Sequence, residues 1–222
     1  MKITDHPIPG GWSELEVAVG PHRFRLITPT DPDELLNHLE SPEAAAHPHL
    51  ADPYWAKLWP AATYLAEALA QEPFPHGTRV LELGCGSGLA GLAALATGCE
   101  VTFSDYVPFT VELALENAAR NGFAHARVMH LDWHAPPDEQ FPVVIAADVT
   151  YDRANIEPLL HVLQRVLAPG GVAWFADGGR SPASDFCRRA ADRGWSVELY
   201  DDRHRATREL AIGRCQRIVL RR

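Results

Sequence analysis

The sequence predicts an α/β fold, a doubly wound sheet that is mostly parallel and ends on an antiparallel strand. Three observations carry this. An apolar run, Val80 to Leu83, breaks into Gly84-Cys85-Gly86-Ser87-Gly88 and then into Leu89 to Leu95, which reads as buried strand, tight turn and helix. Downstream, short apolar runs alternate with stretches of helical periodicity, the pattern of parallel strands joined by crossover helices. The last two strand-like segments have only the polar stretch 201–207 between them, too short for a crossover, so they pair antiparallel.

At 222 residues and 46% hydrophobic content the chain can bury one good core. It divides into an N-terminal extension, residues 1–54, packed on a main domain, residues 55–222. No apolar stretch approaches a membrane span, and Met1-Lys2-Ile3-Thr4-Asp5-His6 lacks the layout of a signal peptide, so a cytoplasmic location is expected. Cys85, Cys99, Cys187 and Cys215 are scattered without the close pairing that zinc sites use, so no metal is expected and the thiols read as reduced core or loop residues. A net charge of −9 disfavours nucleic acid, whose non-specific binding depends on cations placed on phosphates, and favours a basic partner or a small molecule.

In chain order, residues 14–28 read as a hairpin: Leu15, Val17 and Val19 alternate, Gly20-Pro21 turns, and Phe24, Leu26 and Thr28 alternate again. A short helix follows, capped by Thr30 or Asp31 and passing through Glu34-Leu35-Leu36. In the Ala-, His- and Pro-rich stretch 41–53, His47-Pro48-His49 reads as loop, because no third ligand accompanies the pair. Tyr54 to Ala62 leads into a helix with Ala61, Tyr64, Leu65, Ala68 and Leu69 at helical spacing, ending near Pro73, and Trp59 before it reads equally as packing or as pocket wall. Gly98 caps the helix after the glycine loop, and Val101 to Asp105 is the second strand. Pro108 opens a helix through Val111, Leu115 and Ala118 that stops at Asn121-Gly122. Val128 to Trp133 is a third strand running into a loop, and Phe141 to Ala147 is a continuous apolar central strand leading to Asp148-Val149-Thr150-Tyr151-Asp152. Asn155 caps a helix burying Ile156, Leu159, Leu160, Leu163, Val166 and Leu167, ended by Ala168-Pro169-Gly170-Gly171. A strand at Val172 to Ala176, a helix near residues 183–191, a strand at Trp195 to Tyr200 and a long strand from Glu209 to Leu220 complete the alternation.

Glycine at every second loop position permits positive φ and lets the backbone lie against a ligand, with the next helix's free N–H groups facing the gap. A dinucleotide fingerprint, Gly-x-Gly-x-x-Gly, requires glycine where Leu89 stands. The spacing fits Glu-x-Gly-x-Gly-x-Gly from Glu82 to Gly88 instead. Asp105 ends the second strand roughly 20 residues past Gly84, where a carboxylate accepts hydrogen bonds from both hydroxyls of a ribose.

The glycine loop resembles motif I of the Rossmann-like, seven-stranded class of S-adenosylmethionine-dependent methyltransferases. Over roughly residues 55–180, Leu58-Trp59-Pro60, Asp132-Trp133, Asp148-x-x-Tyr151 and Asp177-Gly178-Gly179-Arg180 are similar to the lysine methyltransferase branch that includes the electron-transfer-flavoprotein β-subunit lysine methyltransferases. Gly178 departs from that branch, which usually has proline there. The resemblance implies seven strands, the last antiparallel, and S-adenosylmethionine as cofactor with S-adenosylhomocysteine as product. It implies a cofactor wall of Trp59, Glu82, Gly84, Cys85, Gly86, Gly88, Asp105, Tyr106, Asp132, Trp133, Ala147 and Asp148, with Asp132 and Trp133 holding the adenine. It also implies catalytic roles at the reactive end for Asp148, holding the acceptor amine or the methionine end, and Tyr151, packing beside it, with a protein lysine as acceptor. The same fold serves small amines and natural-product acceptors, because pocket loops decide the substrate. A cofactor sensor has no use for Asp148-x-x-Tyr151, and Leu89 speaks against a dehydrogenase.

Overall fold

The structure is a computed structural model that describes residues 3–37 and 53–222. His47-Pro48-His49 lies outside the described residues. The chain begins with two antiparallel strands, β1 (Trp12–Val19) and β2 (His22–Pro29), and a short helix, α1 (Pro32–Asn37). The β1–β2 turn is Gly20-Pro21, as Val19 pairs with His22. Asp31 caps α1, accepting from the Glu34 amide at 2.9 Å.

The main domain follows the expected alternation: α2 (Pro60–Gln71), β3 (Arg79–Leu83), α3 (Leu89–Ala96), β4 (Glu100–Asp105), α4 (Pro108–Arg120), β5 (Arg127–His130), β6 (Phe141–Ala147), α5 (Ile156–Val166), β7 (Leu167–Asp177), α6 (Pro182–Asp192), β8 (Ser196–Tyr200), β9 (Ala206–Thr207) and β10 (Gln216–Arg221). The eight strands form one sheet in the order β5-β4-β3-β6-β7-β10-β8-β9. The pairings β5/β4, β4/β3, β3/β6 and β6/β7 are parallel, whereas β10 runs antiparallel to both β7 and β8. Seven of the strands make the expected sheet, and the two-residue β9 is an addition at the edge, antiparallel to β8.

The period of two along each strand sorts side chains onto two faces. Val80, Val101, Phe103, Val143, Ile145, Trp174 and Val219 point to a core shared with α2, α3 and α4. Leu81, Leu83, Val144, Ala146, Phe175, Ile218 and Leu220 point the other way, onto α5 and α6. Since both faces are covered, the central strands carry uninterrupted apolar runs. Among the described residues no helix is long and apolar enough to cross a membrane.

The hairpin is held on α4 by amides as well as by packing. Phe24 and Leu26 join the α2–α3–α4 core, while Ile27 packs with Trp55, Phe109 and Leu113. Asn117 accepts from the Ile27 amide at 2.7 Å, and its Nδ2 donates to the Ser87 carbonyl at 3.0 Å, so one fully buried side chain ties β2 to the glycine loop. One turn on, Asn121 bonds both the N–H and the C=O of Arg25, at 3.0 and 2.8 Å.

Three local expectations are corrected. The strand expected from Glu209 begins at Gln216, because Gly213 takes φ 73 and its amide bonds the Gly179 carbonyl at 2.9 Å, folding this stretch back onto the end of β7. Asn155 makes no capping hydrogen bond; the cap belongs to Asp152, which accepts from the Ala154 amide at 2.9 Å and starts a 3-10 turn leading into α5. β7 begins at Leu167 rather than Val172, with Ala168-Pro169-Gly170-Gly171 absorbed as an irregularity opposite Phe141 and Val143.

Candidate active site

The chain leaves β3 for β4 on one side and returns to β6 on the other. Loops at the carboxyl ends of β3 and β6 therefore part, which in a doubly wound sheet is where ligands bind. A cleft of about 560 Å³ opens there, a size suited to a nucleotide-sized cofactor. Every residue expected on the cofactor wall borders it except Gly88, which packs under Ala114 and Phe103 and closes the loop by donating to the Cys85 carbonyl at 2.8 Å.

The floor is the loop after β3. Gly84, Gly86 and Gly88 take φ values of 62°, 50° and 83°, which side chains disfavour. At Gly86 a Cβ would meet nothing nearer than the Trp55 carbonyl oxygen at 3.8 Å, an ordinary contact, and the residue borders the cleft with its backbone alone. Cys85 is buried with a thiol pushed well above its usual range by desolvation and by Asp105 and Glu82, so it is filler and not a nucleophile. Glu82, buried behind the loop, accepts from the Gly91 amide at 3.0 Å and binds β3 to α3. Burial pushes its carboxyl up to about 8, aided by Asp105 and opposed by the Gly91 N–H.

One wall comes from β4 and β5. Asp105 accepts from the Gly86 amide at 3.2 Å and from the Val107 amide at 3.0 Å. A carboxylate can accept from both hydroxyls of a diol, and Asp105 borders the cleft. Tyr106 beside it is exposed at the rim. Asp132 and Trp133 also border the cleft. Asp132 is turned towards His134, accepting at 2.9 Å from its amide and at 2.9 Å from Nδ1, contacts that hold its carboxyl below the ordinary value.

The opposite wall comes from β6 and β7. Asp148 follows β6 with φ 55, a conformation that costs a non-glycine residue about 1–2 kcal/mol and marks a position fixed by its surroundings. This turn sends its carboxylate into the protein. Oδ2 accepts from the Ala61 amide at the start of α2 at 3.1 Å, and Oδ1 accepts from the Gly178 amide at 3.1 Å and from an Arg180 guanidinium N–H. Burial raises the Asp148 pKa, and Arg180 and the two amides offset part of that rise. Asp177 builds the turn that supplies Arg180: its Oδ1 accepts from the Gly179 and Arg180 amides, each at 2.7 Å, and its Oδ2 from Thr150 at 2.6 Å. The Arg180 guanidinium also lies 5.3 Å from the Trp59 ring centre, with Lys57 Nζ at 5.6 Å from the same ring. Trp59 is thus pocket wall, fixed by its Nε1 donating to the Tyr54 carbonyl at 2.8 Å. Tyr151 stands at the mouth, 40% exposed, its ring 5.6 Å from that of Tyr54.

The donor set fits a nucleoside-bearing methyl donor: a backbone cradle at Gly86, a carboxylate at Asp105 and an indole at Trp133 line one continuous space. Sequence reasoning did not place Arg180, Lys57, Tyr54 and Asn155 on this cleft, which they border. Arg180 stood inside a motif already noted, Asp177-Gly178-Gly179-Arg180, yet nothing local says that its side chain returns to Asp148.

A family model described as lysine methyltransferase matches residues 44–186. The chain is 30% identical over 153 residues to the EEF1A lysine methyltransferase 3 of Mus musculus, covering 65% of each chain. It is also 30% identical over 182 residues to the electron transfer flavoprotein beta subunit lysine methyltransferase of Danio rerio, covering 80% of this chain and 68% of that one. It thus spans about two thirds of these relatives' lengths. Among solved structures, a TehB-like SAM-dependent methyltransferase from Corynebacterium glutamicum superposes with a TM-score of 0.60 at 20% identity, over 86% of this chain and all (100%) of that one. The chain belongs to the lysine methyltransferase family, and its cofactor is S-adenosylmethionine.

Proposed function

We infer that the protein methylates a lysine side chain of another protein, by direct in-line transfer. The observation that supports this most is the Asp148-x-x-Tyr151 step at the carboxyl end of β6, which borders the cleft from the side opposite Asp105 and Asp132. On this reading Asp105 holds the ribose hydroxyls, Asp132 and Trp133 hold the adenine, and Asp148 and Tyr151 flank the place where the acceptor arrives.

The cofactor supplies an electrophilic methyl group on a sulfonium. The chain's own contribution is positioning and charge placement. Trp59, Tyr54 and Tyr151 form an aromatic mouth for an aliphatic side chain. A lysine enters water as its ammonium, with a pKa near 10.4, and becomes a nucleophile only when it gives up a proton. A partly desolvated mouth favours that loss. The four free thiols suit a reducing compartment such as the cytoplasm.

Purified protein incubated with tritiated S-adenosylmethionine and a cell lysate is expected to label a discrete protein band, recovered as methyl-lysine after hydrolysis, and the Asp148→Ala variant is expected to lose most of that label. Label confined to the small-molecule fraction would assign a small amine as acceptor instead.

A further inference from the structure

We propose that Arg180 sets the charge at the methyl-transfer end of the cleft by masking Asp148, so that this carboxylate does not pair with the cationic methyl donor. Arg180 is a positioning residue in this account: it acts through Asp148.

The physical reason lies in how charge moves. Positive charge leaves the donor's sulfur as the methyl group departs, so an uncompensated carboxylate beside it would stabilise the starting state more than the transition state and slow the reaction. Asp148 is well placed to do such harm, being buried and on the cleft wall. Its charge is met from three directions instead, by the amides of Ala61 and Gly178 and by the guanidinium of Arg180.

The mask is built, not incidental. Asp177 gathers the amides of Gly179 and Arg180, and the Gly213 amide bonds the Gly179 carbonyl at 2.9 Å, so the backbone carrying Arg180 is fixed on both sides. The guanidinium is steadied over the Trp59 ring. Gly178 completes the arrangement. The branch that the sequence resembles usually has proline there, and proline has no N–H to give, so in this chain the turn offers Asp148 one more donor. A second, shallow cleft bounded by Arg153, Pro182 and Ile212 meets the first at Tyr151 and Arg180, which places Arg180 at the border between the cofactor space and the outside.

The inference rests on the donor being S-adenosylmethionine and holds whichever acceptor is used. It is tested by calorimetric titration of wild type, Arg180→Gln, Arg180→Lys and the double variant Arg180→Gln/Asp148→Asn with S-adenosylmethionine and with S-adenosylhomocysteine, which lacks the positive charge. In Arg180→Gln the preference for S-adenosylmethionine over S-adenosylhomocysteine is expected to rise about tenfold, the effect of one unmasked charge in a partly buried site. Arg180→Lys keeps the wild-type preference, and the double variant loses the gain. A preference that stays the same in Arg180→Gln, with both ligands weakened together, overturns the proposal and leaves Arg180 a structural residue. Should Arg180→Gln melt far below wild type, the Arg180→Lys and Asp148→Asn single variants decide: the proposal requires Arg180→Lys to match wild type and Asp148→Asn to lower the preference for S-adenosylmethionine by about threefold or more, because the guanidinium is then left uncompensated beside the cationic donor, and an unchanged preference in Asp148→Asn overturns it. An absence of methyl-lysine in the labelling experiment would sink the lysine reading without touching this ratio.

Discussion

At the scale of single residues, Glu82 shows how a position recognised by spacing acquires a chemical property from its surroundings. Its carboxyl is buried and its pKa is raised to about 8, so the folded protein favours the protonated form that the unfolded chain loses near its ordinary value. The stability this contributes is complete below the unfolded pKa and is lost as pH rises through about 8. Glu82→Gln keeps an acceptor for the Gly91 amide and cannot ionise. Its melting temperature is expected to gain on wild type steadily from about pH 5 to about pH 9, by the equivalent of a few kcal/mol. A wild-type-minus-variant difference that is flat across that range would show that Glu82 stays ionised. Glu82, Asp105 and the glycines were legible in the sequence because their spacing lies within one βαβ unit, where local chain geometry fixes what they face. Asp148 was legible as a position but not as a partner. Its positive φ and the 32-residue gap to Arg180 are set by how β6 and β7 sit side by side.

At the scale of elements, apolar runs and helical periods gave the strands and helices with ends off by a few residues, because each central strand is buried on both faces and each helix on one. The turn after β7 is where that reasoning stopped. The expected strand from Glu209 to Leu220 was a fair reading of residue types, yet Ala211 to Arg214 is recruited by a contact with Gly179 that no local pattern announces. A Cβ at Gly179 would lie 2.4 Å from the Gly213 nitrogen and 2.6 Å from the Ala211 carbonyl oxygen, and the residue already takes φ 80. Gly179→Ala is therefore expected to push the two segments apart, costing roughly 1–3 kcal/mol in urea unfolding, and to shift the ligand preference in the same sense as Arg180→Gln by loosening its hold on Asp148. Lost stability with an unchanged preference would separate the turn from the charge mask.

At the scale of the molecule, two apolar cores on opposite faces of one sheet hold the carboxyl ends of β3, β4, β5 and β6 in a fixed row, and the cleft is what the row leaves open. The hairpin stands outside that sheet, and its docking through Asn117 and Asn121 was not legible: neither residue differs in type from an ordinary surface amide, and only the placement of α4 turns them towards β2. Asn117 has a consequence for motion. Because the same side chain holds the Ile27 amide and the Ser87 carbonyl, a ligand that quiets the glycine loop is expected to quiet that β2 amide as well. Exchange of the Ile27 amide with deuterated solvent should then slow when S-adenosylhomocysteine is added, and should lose that response in Asn117→Ala even if the ligand still binds. The hairpin would keep time with the cofactor loop, reporting its occupancy from a distance through one amide group.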